Sequence, residues 1–140
     1  MMRSILVSVA ALLLASVGFA QEVGGTIEGS VLVKGQPYKQ VFAYGKMAEK
    51  QPSWDPFTSP CPLKRSKAVQ LAIQKLKGAV PAVSHLKLAS VRLNKVPEME
   101  GKWYYYVKFT EKPEHEQGDF ANVIVCLDGT VPDFQKERAK

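Results

Sequence analysis

The chain has 140 residues, a formal net charge of +6 and 46% hydrophobic residues. That length suits one domain able to bury its own core. The basic excess favours acidic surfaces or polyanions, but the Lys and Arg residues are scattered rather than banked on one helix face, which argues against a nucleic-acid binder.

Residues 1–20 have the pattern of a secretory signal. Arg3 supplies the positive start, residues 5–17 are almost wholly apolar, and Gly18-Phe19-Ala20 ends the segment on small residues. The apolar run is shorter than the ~20 residues a membrane span needs. No second such run follows, so residues 21–134 are expected to form a single exported domain without stable membrane insertion. Residues 135–140 form a charged tail, expected to fray. The expected location is secreted or periplasmic.

After a short polar lead-in come two β-rich runs, residues 26–33 and 38–44, separated by the turn signal Lys34-Gly35-Gln36-Pro37. Ile27, Val31 and Val33 fall on one side of the first run, and Tyr38, Phe42 and Tyr44 on one side of the second. They predict an N-terminal β-hairpin. Residues 45–63 contain Pro52, Pro56, Pro60 and Pro62, which disfavour helix and central strand. Trp54 and Phe57 lie in this loop. Such aromatics either pin a loop to the body or form an exposed contact site.

The main helix begins near Ser66, a candidate N-cap. Val69, Ala72, Ile73, Leu76 and Val80 make one apolar stripe, with Gly78 as a stop and Pro81 beyond it. Lys64, Arg65, Ser66 and Lys67 surround the helix start. They are either a solvated charge cluster or an anion-binding turn.

Three strands follow. Residues 88–96 alternate apolar and polar. Residues 102–109, Lys-Trp-Tyr-Tyr-Tyr-Val-Lys-Phe, place Trp103, Tyr105, Val107 and Phe109 on a core side. That leaves Tyr104, Tyr106 and Lys108 opposite. They are a partner-binding surface if open, and no surface if the hairpin or the Trp54 loop folds over them. Residues 120–127 are apolar on both sides, as expected of a central strand.

The segment 111–119 gathers Glu111, Glu114, His115, Glu116 and Asp119. Its carboxylates offer oxygens a hard cation would take, but EF-hand spacing is absent, so the segment reads first as a solvated loop with no metal expected, a cation site being the alternative. His85 has no His or Cys partner at ligand spacing. Cys61 and Cys126 are the only two cysteines, and in an exported chain they predict one disulfide. A nucleophilic Cys61 beside Lys64, Arg65 and Lys67 is the alternative. Catalytic serine elbows, phosphate loops and HExxH are all missing, and no cofactor is implied.

Residues 67–131 resemble a PepSY-type module. The residues that carry the resemblance are Ala68-Val-Gln-Leu-Ala-Ile-Gln-Lys-Leu76, the strands that follow, and Val123-Ile-Val-Cys-Leu-Asp-Gly-Thr-Val131. The resemblance implies an exported binding module linked to peptidase propeptides and inhibition. The expected fold class is therefore α+β: one antiparallel sheet packed against a single main helix, with an N-terminal hairpin. The expected function is an exported non-enzymatic binding module that regulates or inhibits a hydrolase, its partner another exported protein or an acidic surface. The alternative is a small hydrolase or thiol enzyme with unrecognised catalytic residues.

Overall fold

The run that is apolar on both sides sits inside the sheet that forms the body of the protein. The computed structural model describes residues 25–80, 82–112 and 118–138. Within them the chain forms β1 (Thr26–Val33), β2 (Gln36–Ala43), a 3-10 turn (Ala48–Lys50), α1 (Arg65–Ala79), β3 (Lys87–Lys95), β4 (Trp103–Thr110), β5 (Phe120–Cys126) and β6 (Phe134–Lys136). The strands make one sheet in the order β3-β4-β5-β1-β2-β6. Every neighbouring pair is antiparallel.

The sheet has an apolar cluster on each face, and β5 serves both. Its Ala121, Val123 and Val125 meet Val107, Ala72 and Leu76 under the helix. Its Ile124 and Cys126 meet Phe42, Ala48, Val96 and Tyr104 on the other side. The helix earns its place by burying Ala68, Ala72 and Leu76, a stripe at four-residue steps. The small alanines let it lie close to β4 and β5.

The predicted fold class is corrected. Among the described residues the protein is mostly one six-stranded antiparallel sheet with a single α-helix. The N-terminal runs are not a hairpin appended to a smaller sheet. β1 pairs with β5 on one side and β2 on the other, and β2 pairs in turn with β6. Periodicity cannot reveal such pairing, because it reports which side of a strand is apolar and not which strand lies beside it.

Further differences have local causes. Val31 and Val33 line the helix-side cluster, while Ile27 lies with Phe42 in the second one. β1 meets β5 only over Ser30–Leu32, so the far end of the β1–β2 ribbon is free to cover the opposite face. The helix is capped at Lys64 rather than Ser66, with no side-chain cap bond, and runs through Gly78 to Ala79. The residues set aside as a tail contribute Gln135 and Lys136 to β6. The segment assigned to a signal, residues 1–20, lies outside the described residues, as do Pro81, Glu114, His115 and Glu116. Among the described residues no helix is long and apolar enough to cross a membrane.

Candidate functional site

A groove of about 650 Å³ opens where the proline-rich loop meets the turn between β3 and β4. Trp54, Trp103, Met99 and Phe57 give it apolar walls. The walls are braced by the backbone. Trp54 N–H donates to the Gly101 carbonyl at 2.9 Å. The Trp103 indole donates to the Trp54 carbonyl at 3.1 Å, and the Trp54 indole to the Ser59 carbonyl at 2.9 Å. The two indoles meet edge to face with centroids 5.2 Å apart, the arrangement that ring quadrupoles favour.

Of the two loop aromatics, then, Trp54 pins the loop and Phe57 does not. Phe57 is 97% exposed. Asp55 holds it there by accepting the Phe57 N–H at 3.0 Å, an Asx turn at the loop tip. The rim carries Asp55, Glu98 and Glu100. The Lys95 ammonium sits 5.5 Å from the centre of the Trp103 ring, within cation–π range. Glu98 has a positive φ of 62° and Gly101 one of 77°. The rim therefore contains a non-glycine residue in the left-handed region, which is costly and often found at contact sites.

A second cluster lies at the opposite end of β4. His85 Nε2 is 2.7 Å from Asp119 Oδ2. The other oxygen of Asp119 accepts the Lys34 N–H at 3.1 Å, and the Asp119 N–H donates to Glu111 Oε1 at 3.0 Å. Ligand atoms of His85, Glu111 and Asp119 lie within 4.8 Å of one another. Among the described residues these three could hold a cation. Their bonds already have a structural use: they join the β1–β2 turn, the lead-in to β3 and the two ends of the β4–β5 connection.

The predicted disulfide is corrected. Both cysteines are free. Cys61 packs beside the helix-side cluster, and Cys126 is buried in the cluster on the opposite face, so the sheet separates them. Burial pushes the Cys126 thiol up to about 12, with a smaller push from Asp128. Cys61 Sγ lies 3.6 Å from the Tyr105 hydroxyl, which donates to the Leu63 carbonyl at 2.7 Å. Tyr105 is itself raised to about 12, first by burial and then by Cys61. The thiol thus has a phenol beside it, while His85 is engaged with Asp119.

The predicted tyrosine surface is corrected at Tyr104, which is only 8% exposed. Phe42 covers it, ring centroids 6.4 Å apart. Tyr106 is half-buried, its hydroxyl donating to the Glu28 carbonyl at 3.3 Å. Lys108 remains exposed. The alternative weighed from the sequence, that the N-terminal strands fold over this face, accounts for the Tyr104 burial. Lys64, Arg65, Ser66 and Lys67 are all exposed at the start of α1, with no acidic residue in its first turn.

Sequence reasoning missed the groove because its two walls lie far apart in the chain. The available signal was the pair of tryptophans, one in a proline-rich loop and one opening a strand. It also missed the contact of His85 with Asp119, which no spacing rule encodes. No family model, curated protein or solved structure matches the chain.

Proposed function

We propose that the protein is an exported, non-enzymatic binding module that regulates or inhibits a hydrolase, and that the Trp54–Trp103 groove receives an apolar side chain of that partner. The observation that carries the reading is Phe57. A phenylalanine left 97% exposed on a braced loop, at the mouth of an aromatic groove, costs solubility and gains nothing unless it is covered in a complex. The resemblance of residues 67–131 to a PepSY-type module supports the regulatory part, and the signal pattern of residues 1–20 supports the export. The thiol-enzyme reading has less support, because among the described residues the hydrogen-bond neighbour of Cys61 is the Tyr105 hydroxyl, and His85 is engaged with Asp119.

The test is affinity capture from the exported fraction of the source cell with the wild-type chain and with Phe57→Ala. The expected result is a hydrolase retained by the wild type, lost by the variant, and slowed when the wild-type chain is added to its assay. Capture that is indifferent to Phe57, or hydrolysis by the chain itself that requires Cys61, would overturn the proposal.

A further inference from the structure

β3 is an edge strand. Among the described residues its single neighbour is β4, so along nine residues one row of its backbone N–H and C=O groups has no strand beside it. Such a row is a template for another chain. The helix packs mainly on β4 and β5, and every residue of β3 is half-buried or exposed. The register places Val91 opposite Val107 and Leu93 opposite Tyr105, on the helix side. Both are only half-buried, and Leu88, beyond the bulge, is 48% exposed. This row runs between two hollows. At its start is one of about 280 Å³ walled by Ile73, Leu76, Leu86 and Phe109. At its end is the tryptophan groove, which Lys95 also lines.

The charges of the strand select the occupant. β3 carries Lys87, Arg92 and Lys95 and no acidic residue, and all three are exposed. Two copies of β3 laid edge to edge would bring like charges together, which opposes self-pairing. An acidic strand meets the same charges favourably. We infer that the free edge of β3 takes an extended segment of a partner protein, alternating apolar and acidic, as a seventh strand of the sheet. Its apolar side chains would cover Leu88, Val91 and Leu93, and its carboxylates would face Lys87 and Arg92 on the other side of the strand. This rests on the binding-module reading and adds the chemistry of the partner.

The test titrates the isotope-labelled chain with three ten-residue peptides: alternating valine and glutamate, alternating valine and lysine, and the glutamate peptide N-methylated at every second residue. The glutamate peptide is expected to shift and protect amides of β3. N-methylation, which removes ladder donors, should weaken it at least tenfold, and the lysine peptide should not bind. Arg92→Glu, a change at an exposed position, should reverse the preference between the first two peptides. Absence of binding at millimolar glutamate peptide, indifference to N-methylation, or concentration-dependent pairing of the chain with itself through β3 would each overturn the inference. A hydrolase whose capture is lost with Phe57→Ala but unaffected by Arg92→Glu would also overturn it, while leaving the binding-module reading in place.

Discussion

Gln40 reaches across β1 to Ile124 because Gly29, which lies in its path, has no side chain. The Gln40 carboxamide accepts the Ile124 N–H at 2.7 Å and donates to the Ile124 carbonyl at 3.0 Å. It also donates to the Pro132 carbonyl at 3.0 Å. β1 pairs with β5 only as far as Ser30 and Asn122. Beyond that point a side-chain amide makes the two bonds that a strand peptide group would have made. Gln40 is fully buried, as a polar group can be when its partners are all present.

Loss of this bridge should be expensive. Gln40→Leu strands buried groups of Ile124 and Pro132, at roughly 1–3 kcal/mol for each left without a partner. Gly29→Ala should act through the same bond, since a Cβ there would lie against Gln40 Oε1 and 2.6 Å from the Asn122 carbonyl oxygen. Urea unfolding should show a lower midpoint for both. The double variant should cost less than the sum of the two, because each removes the same bridge.

Gly78→Ala should stabilise. Gly78 lies inside α1, and a Cβ built on it meets nothing within 4 Å. Alanine in a helix interior is favoured over glycine by about 0.8–1.0 kcal/mol. A thermal midpoint that does not rise would mean that the last helical turn is frayed in solution.

The cysteines should separate cleanly in thiol titration. At pH 8 one thiol, Cys61, should react in the native protein, and the second, Cys126, only on unfolding. The pKa of Cys126 is raised on folding, from 9.0 to about 12. The stability this contributes is therefore complete below pH 9 and is lost as pH climbs toward 12. Tyr105, raised from 10.0 to about 12, acts with the same sign. The thermal midpoint should fall through this alkaline range. Cys126→Val should lessen the fall without abolishing it, since Tyr105 still titrates.

Glu98→Gly should raise stability while weakening partner capture. The left-handed backbone at Glu98 costs a non-glycine residue about 1–2 kcal/mol, and glycine removes that cost. The same change deletes a carboxylate from the rim of the groove. Paired denaturation and capture assays check both directions. A variant that gains stability and binds its partner unchanged would place the strain outside recognition.

Much of the fold was legible where one residue's surroundings are set by its near neighbours in sequence. β5 announced its double burial through Val123, Val125, Ile124 and Cys126, and β4 its core side through Tyr105, Val107 and Phe109. The helix was found but misjudged at both ends. Ser66 and Gly78 have the right chemistry for termini, yet the helix runs from Arg65 to Ala79, a shift of a residue or two at each end that local chemistry does not fix. What could not be read is whatever depends on distant pairing. Nothing local in Gln40 marks it as a partner of Ile124. The count of two cysteines does not say that a sheet divides them. The groove was half visible, because the exposed-contact reading of the proline-rich loop fits Phe57 and the pinning reading fits Trp54.

The strand order has a kinetic consequence. β3, β4 and β5 are consecutive in the chain and adjacent in the sheet, so they can zip together through short loops. β1 and β2 are made early, yet β1 has to wait for β5, and β2 for β6, at the far end of the sequence. Closing such long loops carries an entropic cost before any contact repays it. The slow step of folding should therefore be the docking of an early ribbon onto a late core. Until then the inward edge of β1 is bare. The unfolded chain would present that edge to its surroundings for as long as β5 is still arriving, and any holdase that meets it should recognise residues 26–33 first.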